Sequence, residues 1–129
     1  DSYRFHGTVP SKEMADWAPS FLPEGYIESK RTDLGTLMEI TYDCKDLDMW
    51  ITFSYLRLAE GSGFDLDNEH HVVTEISVQG MDGYLYTASE DKLNAVVWFN
   101  ETLRYGFLLS SRLPPDTLLK VAESVNTKS

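Results

Sequence analysis

The chain has 129 residues, 42% of them hydrophobic and 12% aromatic, with only 8 glycines and 5 prolines, a composition that fits one globular domain and excludes a disordered or fibrous chain. Its 21 acidic against 11 basic residues give a formal net charge of −10, and basic residues such as Arg31, Arg57, Arg104 and Arg112 are scattered, so phosphate backbones and anionic lipid surfaces are poor partners. The single cysteine, Cys44, excludes an intrachain disulfide and a cysteine-based metal site, and it reads as an inert thiol.

Residues 1–10 are expected to be loosely ordered, and residues 11–17 to form a short helical turn ahead of the first strand. Leu22, Pro23, Glu24 and Gly25 then make a turn, because proline presets its backbone angle and glycine closes it. A strand over 26–32 follows. Over 37–43, Met38, Ile40 and Tyr42 alternate with Glu39 and Thr41, as a half-buried strand requires. The next strand, 50–58, carries Ile51, Phe53 and Tyr55 on one face and Thr52 and Ser54 on the other. The acidic stretch between these two strands, with Asp43, Asp46 and Asp48, reads as a solvated turn.

Residues 65–71 are the densest polar segment, with Asp65, Asp67, Glu69, His70 and His71. As a calcium loop the segment fails, because His70 stands where glycine is needed and Ile76 where a bidentate carboxylate is needed. As a zinc site it is weak, because adjacent histidines in an extended segment point to opposite faces. The expected reading is a charged surface loop and no metal. Gly61 and Gly63 precede no helical pattern with a lysine and a hydroxyl, so they do not form a phosphate loop.

Residues 72–79 make a strand rich in branched side chains, and Gly80 and Gly83 supply a bend or bulge before the sheet resumes at 84–88. Strands at 93–99 and 103–110 flank Asn100, Glu101 and Thr102, which form a hairpin and incidentally spell a glycosylation sequon. The period then changes. Over 114–125, Leu118, Val121, Ala122 and Val125 recur at helical spacing, with Pro115 and Asp116 suited to a first turn. The expected class is α+β: a curved antiparallel sheet of six to seven strands packed with a C-terminal helix, all in one domain over residues 1–129.

Several stretches recur in order along a known pattern: Trp17 to Tyr26 with its Leu-Pro-Glu-Gly-Tyr turn, Met38 to Tyr42, Ile76 to Gly80 with Gly83 and Tyr84, Val97 with Trp98, and Leu118 to Val125. Over roughly residues 14 to 126 the chain resembles a family of extracytoplasmic domains of unknown function from Gram-positive, often gut-dwelling, bacteria. Such domains follow one transmembrane helix in proteins resembling anti-sigma factors. The resemblance implies an extracytoplasmic domain, tethered to the membrane or at the cell surface through a segment outside this stretch, and it carries no catalytic residues. The matching positions are turn and core residues, a signature of fold.

Nothing in the chain assembles a nucleophile, a base and an orienting group. The histidines are His6, His70 and His71, all outside core strands, and there is no Gly-x-Ser-x-Gly elbow. The expectation is a non-enzyme without a cofactor. Aromatic residues are more numerous than a minimal core needs, and in the strand 93–99 neither face is plainly polar. A second apolar sheet face is therefore expected, with Trp50, Tyr55, Tyr84 and Tyr86 as the contacts for an unknown protein, peptide or envelope ligand. The leading expectation is a sensor or interaction domain of a membrane-tethered regulator. The alternative is a lipid- or peptide-binding carrier domain of a surface lipoprotein.

Overall fold

The computed structural model of the chain describes residues 4–8, 14–35, 37–65, 71–88 and 93–127. In chain order it contains β1 (Arg4–Thr8), β2 (Trp17–Pro19), β3 (Ile27–Asp33), β4 (Met38–Cys44), β5 (Met49–Asp65), β6 (His71–Val78), β7 (Met81–Ala88), β8 (Asn94–Asn100), β9 (Tyr105–Ser111), α1 (Pro115–Glu123) and β10 (Val125–Thr127). The main sheet runs β3-β4-β5-β9-β8-β7-β6, every neighbouring pair antiparallel, and β1 joins it on the outer half of β5. A mostly antiparallel sheet with one C-terminal helix is thus the architecture, as the strand and helix periodicities predict.

Three elements depart from the sequence expectation. The segment 1–10 contributes β1, which pairs with β5 from Thr8 opposite Leu58 to Arg4 opposite Asp65. That partner also explains why β5 continues seven residues past Leu58: each end of β5 has its own neighbour, β9 for Ile51 to Arg57 and β1 beyond. Of the expected helical turn, residues 11–13 lie outside the described residues, and Trp17 belongs to β2, not to a helix. Short β2 pairs with β10, so the stretch after the helix is a strand as well.

The two glycines near residue 80 do different jobs. Gln79 (φ 53°) and Gly80 (φ 80°) form a two-residue turn between Val78 and Met81, with both central residues left-handed as a type I′ hairpin demands. Gly83 lies inside β7, opposite Trp98, and a Cβ there would stand 2.5 Å from the Val97 carbonyl oxygen and 2.8 Å from the Trp98 Cβ. It is a close-approach glycine. The β8–β9 connection is longer than a tight turn: Glu101 to Arg104 intervene, the Leu103 amide donates to Asn100 Oδ1 at 2.8 Å, and Arg104 takes the left-handed conformation.

Alternation sorts the sheet into two faces. One carries Ile40, Tyr42, Ile51, Phe53, Tyr55, Val96, Trp98, Tyr105, Phe107 and Leu109, all buried. Phe107 stacks between Trp98 at 5.1 Å and Phe53 at 6.3 Å, and Trp17 meets it edge-on at 4.9 Å. Helix α1 closes this face with Leu118, Val121 and Ala122, each fully buried, and each larger aliphatic side chain hidden this way contributes roughly 1.5–3 kcal/mol. Pro115 sits in the first turn, Asp116 near the positive end of the helix dipole and Lys120 in the last turn. Among the described residues no helix is long and apolar enough to cross a membrane.

Candidate functional site

The four aromatic residues singled out by sequence do not share a surface. Tyr55 lies on the helix-covered face at 1% exposure, packed against Phe53 and Tyr105. Its phenol is in hydrogen-bond contact with the backbone of Trp17, and burial pushes its pKa up. Tyr105 works beside it, accepting the Ala15 amide at 2.7 Å. These two phenols hold residues 15–17 against the sheet, so Tyr55 latches the chain to itself and is buried away from the surface.

The same latch has a polar rim. Arg31 makes a two-pronged hydrogen bond to the Glu28 carboxylate, at 3.1 and 3.0 Å, and stands 4.0 Å from Asp16. Tyr42 lies in the field of both charges, and its phenol is pushed up to about 12, first by burial and then by the negative Glu28. With the three charged groups facing water, the ion pairs contribute little on their own. They bring the edge strand β3 and Asp16 together at the rim.

Tyr84 and Tyr86 occupy the opposite face, side by side on β7, facing Val97 and Ala95 of β8. Tyr86, Ala95 and Val97 are buried there with Tyr84, Phe99 and Leu108 around them, a second and smaller apolar cluster on the side away from the helix. Burial, and then the neighbouring Tyr84, raises the Tyr86 pKa. The expectation that neither face is plainly polar is met. On β6, exposed Val73 pairs with Tyr86 and Glu75 with Tyr84, so the edge strand lies beside this cluster.

Trp50 shares that face but stands apart from the tyrosines, across three inter-strand steps of about 4.8 Å each. It is 40% exposed, with the Arg112 guanidinium 6.0 Å from its ring centre. It borders an open cleft of about 430 Å³ formed with Ile27, Asp43, Lys45 and Asp48, against which buried Cys44 sits. The turn that carries Lys45 to Asp48 is a hairpin loop closed by backbone bonds, Leu47 to Cys44 and Asp48 to Lys45, both 3.3 Å.

Among the described residues no three His, Cys, Asp or Glu side chains converge on a point where a metal would be held. The acidic and histidine-rich segment 65–71 falls mainly on residues 66–70, outside those described. What the geometry offers chemically is aromatic and aliphatic surface around Tyr84 and Tyr86, the separate Trp50 cleft, and the β6 edge, on whose outer side no strand pairs among the described residues. Which strands form the edges is not legible in any one segment, because strand order is not written there.

The profile of one family, described as a domain of unknown function (DUF4367), matches residues 16–125. No curated protein matches the chain.

Proposed function

The chain belongs to the DUF4367 family of domains of unknown function, and from that premise we propose that it is a non-catalytic interaction domain on the extracytoplasmic side of a membrane-tethered regulator. The observation that carries the reading is the division of labour among its aromatic residues. Tyr55, Tyr105, Trp17, Trp98 and Phe107 build the core under the helix, while Tyr84, Tyr86 and Phe99 form a second apolar cluster on the far face. A second cluster beside an edge strand suits recognition of another chain, since folding alone needs only one core. The regulator would respond through differential binding of that partner. The carrier alternative is less favoured, because the helix-covered face that would shelter an acyl chain is filled by the Phe53, Phe107 and Trp98 stack.

Thiol labelling in intact cells tests the location. Cys44 is buried, so a cysteine placed at exposed Leu47 is the reactive thiol among the described residues. In the full-length protein, Leu47→Cys is expected to react with a membrane-impermeant maleimide before lysis. Reaction only after lysis sinks the extracytoplasmic placement. A photo-crosslinking residue at Tyr84 then tests the interaction surface, with covalent capture of a second polypeptide expected and none expected from the same residue placed at Leu119 beside the core.

A further inference from the structure

The two edges of the sheet are built differently. On β3 the pairing with β4 slips between Glu28 and Lys30, leaving Ser29 as an extra residue, and the strand carries Glu28, Lys30, Arg31 and Asp33 along its seven residues. A bulge and dense charge are the usual means by which an edge strand is kept from pairing with a further chain. The β6 edge has neither. Its register with β7 is unbroken over eight pairs, from His71 opposite Ala88 to Val78 opposite Met81. Between Val72 and Ser77 it holds no proline, no glycine and one charge, Glu75. Val72 is 69% exposed, Val73, Thr74, Glu75 and Ser77 are exposed too, and only Ile76 is partly covered.

Among the described residues no strand pairs with the outer side of β6, and the hairpin geometry says which of its backbone groups point there. In a two-residue type I′ turn the flanking residues, here Val78 and Met81, exchange both hydrogen bonds. Counting back by two, Ile76, Thr74 and Val72 also direct their N–H and C=O to β7. Ser77, Glu75 and Val73 direct theirs outward. The same three residues place their side chains on the Tyr84 and Tyr86 face, with Glu75 paired to Tyr84 and Ser77 to Asp82.

We infer that the β6 edge binds an extended peptide as an added antiparallel strand, hydrogen-bonded to Val73, Glu75 and Ser77 and carrying a basic residue opposite Glu75. Charge chooses this occupant over a second copy of the chain. Twofold pairing centred on these outward groups sets Glu75 against Glu75, a like-charge cross-strand pair, between two bodies that each carry a net charge of −10. A lysine or arginine at that place meets Glu75, and its flanking residues lie beside Val72, Thr74 and Ile76, where apolar side chains fit. The mode is strand addition, with main-chain bonds giving affinity and alternate side chains giving preference. It holds irrespective of which side of a membrane the domain occupies.

The test is an NMR titration of the 129-residue chain with a short synthetic peptide in which threonine and valine alternate on either side of a central lysine. Expected are saturable shifts and slowed amide exchange at Val73, Glu75 and Ser77, with exchange at Val72, Thr74 and Ile76 little changed. Replacing the central lysine by glutamate should weaken binding about fivefold or more, and Glu75→Lys should reverse that preference. The proposal is overturned by no saturable shift up to the peptide's solubility limit, by shifts that do not alternate along β6, or by a charge preference that Glu75→Lys leaves unchanged. The same alternating protection on concentrating the chain alone would instead assign the edge to a second copy.

Discussion

The side-chain amide of Gln79 donates to the backbone carbonyl of Glu123 at 2.9 Å, and the carboxylate of Glu123 in return accepts the Gln79 backbone N–H at 3.0 Å. The Gln79 amide also reaches the Val125 carbonyl at 2.8 Å. A hairpin turn between β6 and β7 thereby ties off the last turn of the helix, whose carbonyls would otherwise lack partners. This accounts for a glutamine where the left-handed turn would favour glycine or asparagine. Gln79→Ala should cost about 1–2 kcal/mol, since it loses the side-chain amide bonds and keeps the strain, while the backbone N–H bond to Glu123 remains. Gln79→Gly should cost less, because it loses the same bonds and relieves the positive φ. Urea unfolding midpoints of the two variants, and their order, check the argument.

Gly83→Ala should be harmful for a different reason. The added methyl meets the Val97 carbonyl oxygen and the Trp98 Cβ, and backbone in a central ladder cannot move aside cheaply. A loss of about 1–3 kcal/mol is expected, toward the upper end of what overpacking costs. Gly35→Ala is the comparison, because its positive φ of 88° brings backbone strain but nothing stands within 4 Å of a Cβ there. Thermal denaturation that ranks Gly35→Ala as the worse of the two would contradict the steric account.

Tyr105→Phe removes the acceptor of the Ala15 amide and keeps the ring. Global stability should fall by about 0.5–1.5 kcal/mol, the net value of one such bond. Hydrogen exchange is the sharper measurement: the Ala15 amide should speed up markedly, and amides of β8 and β9 should stay protected in proportion to global stability.

Alkaline pH should weaken the fold in a defined window. Tyr42 titrates near 10 when unfolded and at about 12 in the native state, mainly because burial disfavours its phenolate. Above pH 10 the unfolded chain gives up that proton while the native chain keeps it, so the contribution is complete below pH 10 and is lost as pH climbs toward 12. Tyr26, Tyr55 and Tyr86 are shifted up as well, each chiefly by burial, and act with the same sign. Tyr42→Phe should lose less stability than the parent chain between pH 10 and 12, measured by urea midpoints at several pH values.

Period-two segments were readable with no structure at hand: β4, β7, β8 and β9 all fall within a few residues of their alternating stretches, and α1 follows its apolar stripe. The pieces that alternation misses are those whose partners are distant. Strand β1 and the outer half of β5, with Gly61 and Gly63 in it, have poor strand propensity and exist as a pair. Strands β2 and β10 have three residues each, too few to show a period. Tyr55 shows the limit for the site. Alternation separates it from Trp50 by face, but which face the helix covers depends on where α1 docks, and that information lies more than sixty residues downstream.

Strands β2 and β10 run antiparallel, with Thr127 opposite Trp17. The polypeptide therefore enters and leaves the family-matched region side by side, through a clasp of three residue pairs. Tension that reaches Trp17 and Thr127 pulls both from the same end of that ladder, which breaks its pairs one after another, as a zipper opens. The Ser20 amide bonded to the Ser124 carbonyl at 2.9 Å would be next to yield. Beyond it lies the helix, whose departure would uncover the aromatic core. From that clasp inward, mechanical load and loss of the core are thus wired in series.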